Sequence, residues 1–259
     1  MIAKRSEKEL KYLREAGQIL AGVLKELEKT IMNNPGITTF DLNKLAESLI
    51  LKQKAKPAFK GYRGFPYSLC VSLNEEVVHG IPGPRQIRPG DIVSLDLGVN
   101  WKGYYSDAAI TVPIGKVSRE VRKLLKVTKM ALYKGIKQAR RGKRVSDISF
   151  AIQHYVEKNG FSVVKDLTGH GIGRKLHEEP AIPNFGEPGH GPQLEEGMVL
   201  AIEPMVNMGN SEVEILKDHW TIVTKDRQLS AHFEHTVAVT NNHPEILTLY
   251  NTQQKKDLS

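Results

Sequence analysis

The stretch "IVSLDLGVNWKGYYSDAAITV" at residues 92–112 decides the fold of this chain. Two apolar runs flank a turn that contains Gly103, which predicts a pair of antiparallel strands. Each run carries one carboxylate, Asp96 in the first and Asp107 in the second. Because an isolated ionised carboxylate is costly to bury, these acids need a partner if they face the core. They lie 11 residues apart (107 − 96 = 11), so the register of the turn decides whether they share a face.

Composition places the chain among globular proteins. Its 259 residues, 40% of them hydrophobic, are enough for a sizeable core. No apolar run approaches the roughly 20 residues of a membrane helix, and the N-terminal segment lacks an apolar signal core, so we expect no membrane partner. The single cysteine, Cys70, excludes an internal disulfide and fits a cytoplasmic location. A net charge of +8 at pH 7 points weakly to polyanionic neighbours.

Helix and strand patterns occur twice along the chain. The predicted helices run from Ser6 to the "NNPG" at 33–36, from Thr38 to about Lys54, from Ser118 to about Arg140, and from Ser146 to Asn159. The stretches "RPGDIVSLD" and "EEGMVLAIE" each combine a Gly turn, an apolar run and a terminal acid, and Asp96 aligns with Glu203 at an offset of 107 (203 − 96 = 107). The sequence therefore predicts an α+β fold with two related halves, approximately 4–113 and 114–249, in a single domain spanning 1–259.

Three further polar residues occupy apolar or Gly-rich surroundings. Glu203 ends an apolar run, Glu234 lies in the strand pattern "AHFEHTVAV", and His170 lies in the Gly-rich loop "TGHGIGR". Any one of them alone is more typical of a turn or a loop. Together with Asp96 and Asp107 they would place four carboxylates side by side, and ionised carboxylates cannot cluster without a cation between them. Carboxylates and one imidazole are good ligands for divalent metals, so the pattern predicts a metal site.

The ordered set of Asp96, Asp107, His170, Glu203 and Glu234 resembles the ligand set of the methionine aminopeptidases. The flanking sequences "GYRGFPYSLCVSLNEEVVHGIP", "DLGVNWKGYYSDAA", "GHGIGRKLHEEP", "IEPM" and "FEHTVAVT" resemble that family as well. The resemblance extends from about residue 4 to residue 249 and is to the bacterial type I enzymes without an N-terminal extension. It implies the pita-bread fold, in which two pseudo-symmetric halves of paired helices cover a curved antiparallel sheet.

The resemblance also implies an activity, the removal of the N-terminal methionine from peptides and nascent proteins, with a preference for a small second residue. Two divalent ions would be bound, and the ligand set accepts Fe(II), Mn(II), Co(II) or Zn(II). Asp107 and Glu234 would bridge both metals. Asp96 would bind one of them, and His170 with Glu203 would bind the other. Glu203 would also serve as the general base.

Outside the ligand set, the resemblance assigns a substrate site. His79, in "VVHGIP", would contact the substrate near the scissile bond, and His177 would stabilise the carbonyl and the tetrahedral intermediate. The methionine pocket would be lined by Phe59, Tyr62, Phe65, Cys70 and Trp220. Phe65, Leu176 and Val78 stand where some relatives have other residues, which would reshape the edge of the pocket without removing a ligand.

Two alternatives remain open at this point. Prolidase and aminopeptidase P share the fold and the five ligands, but they usually carry an added N-terminal domain, whereas the first helix here is predicted to begin at Ser6. A non-catalytic pita-bread module that binds protein or RNA would be expected to have lost ligands, and all five are present.

The third predicted helix suggests a docking surface. Its basic residues recur at helical spacing on one face, and "RRGKR" at 140–144 extends them; they are Arg119, Arg122, Lys126, Lys129, Lys137 and Arg140. An ordinary solvated helix shows the same pattern. The alternative is that residues 118–144 dock on ribosomal RNA, since the implied substrate is a nascent chain. Such a contact would be electrostatic and would weaken steeply with salt.

Overall fold

The computed structural model of the protein describes residues 2–250. Its helices are α1 (Glu7–Asn33), α2 (Thr39–Lys52), α3 (Arg119–Ile136) and α4 (Val145–Lys158), and a short 3₁₀ turn spans Tyr62–Gly64. No helix in this part of the chain is long and apolar enough to cross a membrane.

The helix ends follow from local hydrogen bonds. The capping box predicted at Ser6 is present, because the Glu9 carboxylate accepts the Ser6 N–H at 3.1 Å. The third helix ends at Ile136 and not near Arg140, because the chain turns there and Arg140 pairs with Thr240. The basic segment 140–144 is therefore a loop that continues from α3.

Within residues 2–250, antiparallel pairing joins the strands into two main sheets and two small ones. The first main sheet contains β1 (Lys56–Pro57), β2 (Leu69–Leu73), β4 (Ile92–Trp101) and β5 (Tyr104–Pro113). The second contains β7 (Thr168–Gly171), β8 (Glu178–Pro183), β9 (Val199–Ile202), β14 (His235–Ala238) and β15 (Glu245–Ile246). One small sheet contains β3 (Glu76–Val78), β11 (Val213–Ile215) and β12 (Ile222–Thr224). The other contains β6 (Ser162–Val163), β10 (Met205–Asn207) and β13 (Ser230–His232).

Each main sheet is covered by its own pair of helices and has its own core. In the first half, Leu27 of α1 and Leu42 of α2 are fully buried in one cluster with Leu95 of β4. In the second half, α3 and α4 pack with Leu200 of β9 in a separate cluster. Burial of each large apolar side chain contributes about 1.5–3 kcal/mol to this packing. The predicted α+β class and the pita-bread arrangement of two pseudo-symmetric halves are confirmed.

The register of the β4–β5 hairpin places Asp96 and Asp107 on the same face of the sheet. Asp107 pairs with Gly98, and Asp96 precedes Gly98 by two positions, so both acids project from the same face. Position 98 requires a glycine, because a Cβ there would lie 2.6 Å from a ring carbon of Phe59 on the same face. The turn thus brings the two carboxylates to the same side, beside an aromatic ring.

Two predicted positions in the second half are wrong in detail. His170 lies in strand β7 and not in a loop. The neighbouring Gly169 serves close strand packing, because a Cβ there would lie 2.4 Å from the Ala201 carbonyl oxygen. Glu234 is not inside a continuous strand. It lies at a break, because the chain leaves the small sheet after His232 and joins the second main sheet at His235.

Candidate active site

A cavity of about 130 Å³ receives all five of the acidic and histidine residues that the sequence grouped together. Asp96 projects from β4 and Asp107 from β5. His170 belongs to β7, Glu203 follows β9 directly, and Glu234 precedes β14 directly. Side chains from both halves therefore line one site.

The two main sheets meet along β5 and β14, where a threonine hydroxyl joins their backbones. Oγ1 of Thr236 accepts the Asp107 N–H at 2.9 Å and donates to the Asp107 carbonyl at 2.7 Å. The Glu234 N–H donates to the Ala109 carbonyl at 2.9 Å. These bonds fix the backbones of Asp107 and Glu234 side by side at the cavity.

The donor atoms of Asp107, His170 and Glu234 lie within 4.8 Å of one another, a spacing at which three groups can hold one ion. Nε2 of His170 lies 3.6 Å from Oε1 of Glu203. Nδ1 of His170 is 2.9 Å from the Gly171 carbonyl, to which its N–H donates, so a lone pair on Nε2 is free for a metal.

The carboxyl groups of this cluster have strongly raised pKa values in the metal-free protein. Burial raises the pKa of Asp96 and of Glu203 to about 7. For Asp107 and Glu234, burial and the neighbouring carboxylates raise the pKa well above the usual range. One buried oxygen each of Asp96, Asp107 and Glu234 has no hydrogen-bond partner among the described residues. Buried, mutually repelling acids with free lone pairs fit divalent cations, which would satisfy both the charge and the lone pairs.

Sequence reasoning left two neighbouring histidines unassigned, and the structure separates them. Nδ1 of His235 is 2.8 Å from the Thr248 hydroxyl, and His235 packs beside Tyr133 of α3. His232, by contrast, is buried with Nε2 at 3.6 Å from Oε2 of Glu203. No local pattern distinguishes His232 from His235, because the contact of His232 is with Glu203, which lies in a distant segment of the chain.

Beside the acids, the cavity is lined by the aromatic residues and the cysteine that the sequence assigned to a pocket: Phe59, Tyr62, Phe65, Cys70 and Trp220. The rings of Phe65 and Trp220 meet edge to face with their centroids 5.1 Å apart. Cys70 pairs with Asp96 in the strand register, and burial raises the pKa of its thiol, so it presents a neutral, polarisable sulfur.

His79 and His177 also line the cavity. Nδ1 of His177 is 2.9 Å from the Tyr62 hydroxyl, and the two rings stack with centroids 5.1 Å apart. Burial lowers the pKa of His177 to about 3 and that of His79 to about 4, so both rings are neutral. Sequence reasoning missed Arg63, an exposed residue at the edge of the same cavity whose backbone is left-handed (φ 50°).

A buried carboxylate and imidazole cluster, neutral histidines and an adjoining apolar pocket define a metal-dependent hydrolase.

Comparison with known proteins gives the family. The sequence profile of metallopeptidase family M24 matches residues 11–241. A methionine aminopeptidase from Clostridium perfringens is 54% identical over 249 residues, which cover 96% of this chain and 99% of that protein. The crystal structure of methionine aminopeptidase from Rickettsia prowazekii superposes with a TM-score of 0.94 at 43% identity, covering 96% of this chain and 100% of that one. The chain belongs to metallopeptidase family M24.

The fold extends to more distant proteins of similar architecture. A Xaa-Pro dipeptidase from Bacillus anthracis superposes with a TM-score of 0.78 at 23% identity, covering 96% of this chain but 62% of that one. This likeness concerns the fold alone. The greater length of the dipeptidase chain agrees with the expectation that such peptidases carry additional sequence.

Proposed function

We propose that this M24 metallopeptidase removes the N-terminal methionine from peptides and nascent proteins and prefers a small second residue. The observation that carries the proposal is the apolar pocket of Phe65, Cys70 and Trp220 directly beside the buried acids. A flexible thioether side chain suits aromatic walls and a polarisable sulfur. Relatives named methionine aminopeptidase, including one that is 54% identical over 96% of the chain, support the same substrate.

In this proposal Asp96, Asp107, His170, Glu203 and Glu234 hold two divalent cations, with Asp107 and Glu234 shared between them. The donor set is rich in oxygen and contains one imidazole, so Fe(II), Mn(II), Co(II) and Zn(II) are all candidates. When bound, the cations would polarise the scissile carbonyl and lower the pKa of a water molecule at the site.

Glu203 is assigned as the general base. It would take a proton from the attacking water and deliver it to the nitrogen of the departing peptide. Its pKa of about 7 in the metal-free protein shows how strongly burial tunes this carboxyl group. The neighbouring His170, at 3.6 Å, keeps one carboxylate oxygen on the side of the proposed ligands.

His177 is assigned to the carbonyl oxygen. If the Tyr62 hydroxyl donates to Nδ1, the neutral ring carries its proton on Nε2 and can donate to the oxygen on which negative charge develops. Tyr62 would therefore fix the tautomer as well as line the pocket. His79, also neutral, would contact the substrate near the scissile bond.

The size of the cavity supports cleavage at the chain end. The cavity is small, about 130 Å³, which suits the side chain of one residue. A bulky second residue would crowd the rim formed by Tyr62, Arg63 and His177. The proposed setting is the cytoplasm, where nascent chains begin with methionine.

The substrate is tested by comparing initial rates on Met-Ala-Ser, norleucine-Ala-Ser, Met-Leu-Ser and Xaa-Pro peptides, after chelation and anaerobic re-addition of single metals. The proposal predicts turnover of Met-Ala-Ser far above Met-Leu-Ser and no turnover of the Xaa-Pro peptides. Preferential cleavage of Xaa-Pro bonds would favour a prolidase-like activity instead. Failure to bind metal, together with no turnover of any of these peptides, would favour the non-catalytic module.

We further propose that the basic residues of α3 and of the following loop, residues 118–144, dock on ribosomal RNA. Arg122, Lys126 and Lys129 are exposed on α3. Beyond it, Arg140 and Arg144 line a surface pocket of about 730 Å³, which suits a phosphate backbone.

Reversing the charge of Lys126, Lys137, Arg140 and Arg141 together tests this docking. The variant should keep the hydrolysis of Met-Ala-Ser but sediment less with ribosomes at low salt. Equal sedimentation of the variant and the wild type would leave the surface as ordinary solvated helix.

A further inference from the structure

The side chain of His232 is buried beside the site, and none of the proposed ligand or catalytic roles involves it. It is 1% exposed, and neither of its ring nitrogens has a hydrogen-bond partner among the described residues. A buried polar group without a partner costs about 1–3 kcal/mol, and such groups in a folded protein ask for a specific explanation. The ring is therefore a candidate for a role in the adjoining site.

The position of the ring relative to Glu203 suggests that role. Nε2 of His232 lies 3.6 Å from Oε2 of Glu203, and Nε2 of His170 lies 3.6 Å from the other oxygen, Oε1. The carboxylate thus lies between two imidazoles, one beside each oxygen. Shortening the contact with His232 by about 0.5 Å would bring it into the normal range of a hydrogen bond.

The backbone of His232 is held in place by buried hydroxyl groups. Oγ1 of Thr111 accepts the His232 N–H at 2.9 Å and donates to the His232 carbonyl at 2.7 Å. The hydroxyl of Ser94, on the strand that carries Asp96, lies 2.8 Å from Oγ1 of Thr111. Because the strand is fixed and the ring is enclosed, the imidazole has little freedom to point elsewhere.

On this basis, and resting on the proposed function, we propose that His232 is a positioning residue for Glu203. Its Nε2–H donates to Oε2, so that the general base keeps one orientation and its other oxygen stays beside His170. His232 is not assigned as a ligand, since all five proposed ligands line the cavity and His232 does not.

The test compares two variants of the full-length enzyme. His232→Gln keeps a side-chain N–H, and His232→Leu has similar bulk without a donor. His154→Leu, at an exposed position on α4, is the matched control for loss of an imidazole. The measurements are calorimetric titration with Mn(II), kcat and KM on Met-Ala-Ser, and the melting temperature of the metal-free protein.

Loss of a group that orients a metal-site residue typically costs 10–100-fold. His232→Leu should therefore lower kcat by about 10–100-fold with little change in KM, because an oriented base acts in the transition state. It should bind as many equivalents of metal as the wild type and melt no lower when metal-free, since it removes a polar group that has no partner. His232→Gln should recover most of the lost kcat, and His154→Leu should behave as the wild type.

Three results would overturn the proposal. An unchanged kcat in His232→Leu would show that the contact with Glu203 does not contribute to catalysis. A lost equivalent of metal would make His232 a ligand. Equal impairment of the Gln and Leu variants would show that the N–H donor is not what matters. If the wild type itself fails to cleave Met-Ala-Ser, the proposed function fails, whereas the metal titrations still compare His232→Leu with the wild type.

Discussion

One hydroxyl group makes two of the hydrogen bonds that join the two halves, and its removal should be costly. Thr236 is fully buried, and its Oγ1 both accepts the Asp107 N–H at 2.9 Å and donates to the Asp107 carbonyl at 2.7 Å. Thr236→Val keeps the shape of the side chain but leaves two buried backbone groups without partners. Each such group costs about 1–3 kcal/mol. Allowing for the added apolar burial of a methyl group, we expect a loss of about 2–4 kcal/mol.

The assay is urea denaturation of the metal-free protein in the presence of chelator, so that metal binding does not contribute to the free energy of unfolding. Thr128→Val is the matched control, because Thr128 is equally buried and its hydroxyl donates to the Leu124 carbonyl at 2.9 Å within α3. That carbonyl keeps its helical partner, so the control should lose less than about 1 kcal/mol. A loss for Thr236→Val no larger than that of Thr128→Val would refute the reasoning.

Three other predictions concern the site itself. Asp96→Asn keeps the shape of the side chain and removes a charge. The variant should fold but bind less metal than the wild type in calorimetric titration. Wild-type metal content with wild-type turnover would contradict the assignment of Asp96 as a ligand. Tyr62→Phe removes the hydroxyl beside Nδ1 of His177, so kcat on Met-Ala-Ser should fall about 10-fold or more while metal content stays the same; an unchanged kcat would show that the tautomer does not depend on Tyr62. In the metal-free protein the pKa of Asp96 and of Glu203 is about 7, above the ordinary values near 4. The stability that their protonated forms confer is complete below about pH 4 and is lost as the pH rises through 7. The melting temperature of the metal-free protein should therefore fall between about pH 6.5 and pH 8, a range that lies above the ordinary pKa of histidine. Saturation with metal should abolish this fall. A melting temperature that rises with pH in the absence of metal would contradict the raised pKa values.

Several features of the fold could be predicted from local sequence because local chemistry determines them. The capping box at Ser6 and the β4–β5 hairpin around Gly103 depend on residues that are close in sequence, and both are present. The alignment of Asp96 with Glu203 indicated two halves, and β4 and β9, which lead to these acids, lie in the two different main sheets.

The features that sequence reasoning got wrong or missed depend on contacts between distant segments. The glycine beside His170 looked like a loop residue, but it is required by the close approach of β9 to β7. The break at Glu234 arises because the chain changes sheets there, which no local pattern shows. The role that we propose for His232 could not be predicted, because its neighbour Glu203 comes from another strand connection.

The central claim is that residues of both halves together hold divalent cations on which hydrolysis depends. Its most direct test is an anaerobic titration of metal-stripped wild type and Asp107→Asn with Mn(II), with the rate of Met-Ala-Ser hydrolysis measured on the same samples. We predict that the stripped wild type is inactive, that its activity returns in step with bound metal, and that Asp107→Asn recovers neither tight binding nor turnover. Full activity of the stripped protein, or wild-type binding and turnover by Asp107→Asn, would contradict the claim.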